Sequence, residues 1–136
     1  MQQPPQQPPA AKPTENIKMF SVGKPEYTDI LTNDGAVAKS KDGYRFVVLR
    51  RLINDTNPAF YAPSTLEWSK FSLVSGRTKY PVDSATQLYS GAFSFKIYSG
   101  QDTSITLVFQ VPIEKLSDLT FRYDINSEDY LLEKLD

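Results

Sequence analysis

The chain has 136 residues, with 15 basic and 16 acidic side chains, a formal net charge of −1, and neither histidine nor cysteine. That length suits one domain around a single core, and the near-balance of charge offers no electrostatic basis for nucleic acid as a partner. Without histidine a Ser-His-Asp triad is excluded; without cysteine, so are thiol catalysis, disulfides and Cys/His zinc or iron–sulfur sites.

Residues 1–16, MQQPPQQPPAAKPTEN, differ in texture from all that follows. They hold five of the chain's ten prolines and almost no apolar side chain that could pack. Such a composition predicts a disordered, polyproline-like tether. It also suits a proline-rich ligand for an aromatic groove. The folded domain is expected over residues 17–136. No run of about 18 apolar residues occurs, so no segment of this chain is expected to cross a bilayer as a helix. No segment has the pattern of a secretory signal peptide.

Met19 to Val22 reads as a first strand, closed by Gly23 and Pro25. Tyr27 to Leu31 continues it or begins another. Asn33-Asp34-Gly35 and Lys41-Asp42-Gly43 are turn signals, because Asp-Gly supplies the positive-φ positions of tight hairpins. Between them Ala36-Val37-Ala38 forms a short strand. Tyr44 to Ile53 is a long one, with Phe46, Val48 and Leu52 on one face and Val47, Leu49 and Ile53 on the other. Apolar residues on both faces predict a strand covered from both sides. Asn54 to Pro58 ends it.

Leu66–Trp68 and Phe71–Leu73 are short apolar pieces. Ser75-Gly76-Arg77 is a turn, and Thr78 to Val82 a return strand. Phe93, Phe95 and Ile97 alternate with polar residues, as do Ile105, Leu107, Phe109 and Val111 before Pro112, and Leu119, Phe121, Tyr123 and Ile125. The tail, residues 127–136, reads as one short helix. Seven or eight short strands at regular turn spacing predict an all-β, immunoglobulin-like antiparallel β-sandwich, with no helical stretches for a βαβ fold.

The chain resembles the DUF4352 family of exported bacterial immunoglobulin-like β-sandwich proteins, many of them lipoproteins, and the MPT63-type group of secreted domains. Three blocks carry the resemblance: Gly43 to Leu49 running to Asn54; Phe71 to Gly76 with Tyr80; and Ser99-Gly100-Gln101 leading into Leu107 to Pro112, then Leu119-Thr120-Phe121. Arg50 and Arg51 depart from the family's pattern, in which such a strand stays apolar or small. The resemblance implies an extracytoplasmic setting, at the cell surface or on a membrane-anchored lipoprotein. Residues 1–16 would then be the spacer to a lipid anchor upstream.

Candidate site residues are few. Arg50 and Arg51 either clamp an anion through their planar forks or pair at the strand end with an acid such as Asp55 or Asp124. Phe60 and Tyr61 lie in a proline-stiffened loop that also leads to Trp68. These aromatics either present a binding surface at one end of the sandwich or plug the core. Tyr89 and Tyr98 suit protein or glycan contacts, or cross-strand packing. Asp124, Glu128 and Asp129 lack calcium-loop spacing, so neither a metal nor a cofactor is expected. The functional expectation is a non-enzymatic interaction module, tethered at the cell envelope, that binds a protein or cell-wall component through Phe60, Tyr61, Tyr89, Arg50 and Arg51. The alternative is a structural subunit of an envelope or secretion assembly that pairs through its sheet edges. Oligomeric state stays open.

Overall fold

Two ten-residue strands, β5 (Tyr44–Ile53) and β10 (Thr103–Pro112), pair antiparallel along their full length, from Tyr44 opposite Pro112 to Ile53 opposite Thr103. The computed structural model describes residues 12–13, 24–53, 65–89, 93–96, 103–124 and 127–135. The remaining strands are β1 (Lys12–Pro13), β2 (Glu26–Thr28), β3 (Ile30–Asn33), β4 (Ala36–Lys39), β6 (Thr65–Glu67), β7 (Phe71–Ser75), β8 (Thr78–Pro81), β9 (Ser94–Lys96), β11 (Thr120–Asp124) and β12 (Asp129–Lys134). Helical structure among the described residues is limited to three short 3₁₀ turns, Trp68–Lys70, Ser84–Leu88 and Ile113–Lys115. None is long and apolar enough to cross a membrane.

One sheet has the order β10-β5-β2 and the other β1-β12-β11-β7-β8. Strands β3 and β4 pair as a hairpin, and β6 pairs with β9. In immunoglobulin terms, β2, β5 and β10 stand as A, B and E, while β7, β11 and β12 stand as C, F and G, with β8 beside C. The all-β sandwich expected from the alternating runs is therefore the fold, antiparallel but for β1, which pairs parallel with β12 although Lys12 and Pro13 fall within the expected disordered tether.

Strand alternation sorts the side chains of β5 and β10 into two cores. Val47, Leu49, Ile105, Leu107, Phe109 and Val111 point between the sheets and meet Phe71, Leu73, Phe121 and Tyr123. With no cysteine to bridge the layers, aromatic rings fill the space: Phe71 lies 5.0 Å from Tyr123 and 6.0 Å from Phe121. On the outer face, Phe46, Val48 and Val108 form a second core with Leu31. The β3–β4 hairpin and the Ser84–Leu88 turn close it, through Ala38, Ala85 and Leu88. This is the physical reason β5 is apolar on both faces.

Two turns do what their residues predict. Asp34 and Gly35 have φ of 49° and 84° between paired Asn33 and Ala36, the backbone of a type I′ hairpin. Gly76, at φ 59°, takes the first central position of the β7–β8 turn, where a side chain would be strained. Tyr27 to Leu31 divides into two strands at Asp29, β2 joining β5 and β3 turning back into the hairpin.

The tail is a correction. Residues 129–134 form strand β12, not a helix. Leu131, Leu132 and Leu135 satisfy helical spacing, but β11 has an edge to be paired, and pairing decides the outcome. Leu131 opposite Tyr123 is buried, whereas Leu132 opposite Arg122 faces solvent. The predicted Met19–Val22 strand, Ile97 and Ile125 lie outside the described residues.

The free edge of β10 is closed by a side chain as well as by backbone. Val82 bridges to Phe109, so the chain passes from β8 in one sheet to β10 in the other. Asp83 N then donates to Val108 O at 2.7 Å. The fully buried Thr86 hydroxyl accepts from Val108 N at 3.0 Å and donates to Val108 O at 3.3 Å. Thr86→Val keeps the shape but leaves the Val108 N–H without that acceptor. We expect a loss of about 1–3 kcal/mol in urea unfolding, the cost of an unsatisfied buried donor.

Burial raises the Tyr123 phenol to about 12, and the neighbouring Asp124 carboxylate adds to the rise. The phenol stays neutral in the folded chain while it ionises in the unfolded chain near pH 10. The stability it contributes is complete below pH 10 and is lost as pH rises from there to about 12. Absorbance titration of the folded protein should show a tyrosine step near 12 that Tyr123→Phe removes.

Candidate functional site

The consecutive residues Arg50 and Arg51 fall on opposite faces of β5. Arg51 points into the main core, is 2% exposed, and its Nη2 donates to Glu133 Oε2 at 2.6 Å. Because Glu133 is on β12 of the opposite sheet, this pair ties the two layers together. The Arg51 guanidinium also stands 6.0 Å from the centre of the Phe121 ring. Arg50 points outward, pairs with Glu26 on β2, and lies 6.0 Å over the ring of Tyr89. Asp124, an expected partner for the arginines, instead accepts from Arg122 at 2.7 Å.

Three of the five sequence candidates can therefore be placed. Arg50 and Tyr89 come together on the outer face, Tyr89 packing at the margin of the second core. Arg51 does not join them. Phe60 and Tyr61, like Tyr98 and Asp55, lie outside the described residues.

Clefts open on the flanks of the sandwich among the described residues. The first, about 560 Å³, lies between the β3–β4 hairpin and the Ser84–Leu88 turn, with Phe46, Ala85 and Leu88 on its walls. Several of its polar side chains bond to neighbouring groups. Asn33 Nδ2 donates to Leu88 O at 2.5 Å. Asp83 Oδ2 accepts from Ala85 N and Oδ1 from Gln110 Nε2, both at 2.9 Å. Gln110 Oε1 accepts from Lys41 N at 2.8 Å. These bonds fix the hairpin and the turn over the sheet, which is a structural task.

The second cleft, about 540 Å³, is aromatic. It is lined by Thr65, Glu67, Trp68, Ser69, Pro81, Val82, Phe93 and Ser94, where the β6–β9 pair meets the end of β8. Trp68 is 6% exposed and belongs to the main core, which accords with one of the two readings open for it. Its backbone N donates to Phe93 O at 3.0 Å. The Phe93 ring meets the indole edge-on, with centroids 5.0 Å apart and planes at 74°, yet Phe93 is 65% exposed. The buried indole Nε1 has no hydrogen-bond partner among the described residues.

Sequence reasoning missed Phe93. Its alternation with Phe95 predicts that both face the core, and Phe95 does, at 7% exposure. But Phe93 stands at the very end of the β6–β9 pairing, where its carbonyl accepts from Trp68 N, and its ring stays 65% exposed. No local signal marks where the pairing begins. No protein-family profile, curated protein or solved structure matches this chain.

The two arginines make the difference between surface and core measurable. Arg50→Ala removes an exposed pair and should change stability by about 0–1 kcal/mol. Arg51→Ala empties a buried site in the core and removes the bond to Glu133, whose side chain is partly solvated, and should cost about 2–4 kcal/mol in denaturant unfolding.

Proposed function

We propose that this chain is a non-enzymatic, extracytoplasmic interaction module, tethered at the cell envelope, that binds a protein or cell-wall component. The observation that carries the reading is Phe93: a large aromatic ring 65% exposed, held against a buried tryptophan at the rim of an open cleft. Aromatic anchors set in a packed frame are the side chains that dominate protein interfaces. The envelope setting rests on the likeness of three sequence blocks to the DUF4352 family, with no profile match beside it, and the Gln/Pro-rich residues ahead of β1 suit the tether. The absence of histidine and cysteine from the sequence supports a binding role over catalysis.

Edge pairing is less well supported. The outer strand β8 is four residues long and carries Lys79 and Pro81, features that discourage strand addition.

The test is retention on isolated envelopes. Phe93→Ser should leave the unfolding free energy within about 1 kcal/mol of the parent, since the side chain is largely solvated and loses chiefly its edge contact with Trp68. It should weaken co-sedimentation with envelope fragments by about tenfold, the loss expected of an aromatic hot spot. Equal retention of parent and variant contradicts the assignment, as does a native protein recovered wholly in the soluble fraction.

A further inference from the structure

We propose that the Trp68–Phe93 cleft receives a proline-rich segment, and that its occupant is residues 2–10 (QQPPQQPPA) of a second copy of this chain. The inference rests on the interaction-module reading and names the ligand class for the same site. Proline rings pack on aromatic faces, and a polyproline segment keeps its carbonyls free of internal hydrogen bonds. The cleft offers the complement of both. Phe93 and Pro81 give flat apolar contact. The Trp68 indole N–H is a buried donor with no partner among the described residues. A ligand carbonyl that reached this donor would relieve its unpaired state. Glu67 and Ser69 on its lining are polar groups for the intervening glutamines.

The placement of β1 selects a second copy as the source. Lys12 and Pro13 pair with β12, at the edge of the five-stranded sheet opposite β8, whose end forms the cleft wall. Four strand spacings of about 4.8 Å separate those edges, roughly 19 Å. Four residues of chain span at most about 14 Å whatever their conformation, so Pro8-Pro9 falls short of its own cleft. Both diprolines, Pro4-Pro5 and Pro8-Pro9, are available together only to a neighbour's cleft.

Trp68 is the only tryptophan in the chain, so its emission reports the site directly. The probe is a synthetic peptide of residues 2–10, titrated into a chain lacking residues 1–11. A second peptide with all four prolines replaced by alanine is the control. The expected result is a saturable shift in Trp68 emission with the first peptide and none with the second. Phe93→Ala should weaken the first titration by about tenfold. In the full-length chain, concentration-dependent association in sedimentation should be lost on P4A/P5A/P8A/P9A. No emission shift, an equal shift with both peptides, or a full-length chain that stays monomeric overturns the inference. If the peptide fails while Phe93→Ser still releases the protein from envelopes, the ligand class is wrong and the module reading stands. If both fail, the module reading falls too.

Discussion

The structure depends on one pairing: β5 against β10, ten residues on each, unbroken from end to end. Every other layer is placed by a face or an edge of that two-stranded unit. Its inner face supplies Val47, Leu49, Leu107 and Phe109, which the β7–β11–β12 sheet covers. Its outer face supplies Phe46, Val48 and Val108, which the hairpin and the Ser84–Leu88 turn cover. Its β10 edge exposes the backbone of Val108, which Asp83 and Thr86 satisfy. Burying two apolar faces around one ladder gives this 136-residue chain more core than a sandwich with a single buried interface.

The polar residues in this frame are placed by the same alternation. A strand that carries two consecutive arginines must send them to opposite sides, and here the sides differ in kind. The outward residue, Arg50, finds Glu26 and the Tyr89 ring in solvent. The inward one, Arg51, is accommodated in the core because Glu133 reaches it from the opposite sheet. The polar cleft beside the hairpin follows the same logic. Asp83, Gln110 and Asn33 close on neighbouring groups and hold the outer layer in position. At the β6–β9 pair two features coincide: Phe93 is solvated, and the Trp68 N–H is unpaired among the described residues.

Local pattern made much of the fold legible. Ile105 to Val111 alternates without interruption, and Asp34-Gly35 and Gly76 carry turn chemistry that few other residues supply. The two-faced character of β5 was legible in the same way, from apolar residues at successive positions. The failures share a physical cause: each was decided by a distant partner. The tail contains leucines at spacings that suit a helix, and only the unpaired edge of β11 makes it a strand. Arg51 reads as an oddity until Glu133, 82 residues away, is placed opposite it. Arg50 and Tyr89 were both candidates, but nothing local shows that they touch. Phe93 reads as core because it alternates with Phe95, but at the end of the β6–β9 pair its ring stays exposed.

The central claim is that contact with the envelope is made at the Trp68–Phe93 cleft, and that the hairpin side is structural. Hydroxyl-radical footprinting of the protein with and without isolated envelope fragments tests it most directly. Phe93, Ile30 and Val37 are all exposed enough to be labelled in the free protein. The account predicts protection of Phe93 on binding, with Ile30 and Val37 on the hairpin labelled as before. Protection of the hairpin, or of the Arg50–Tyr89 patch, with Phe93 still fully labelled would contradict it.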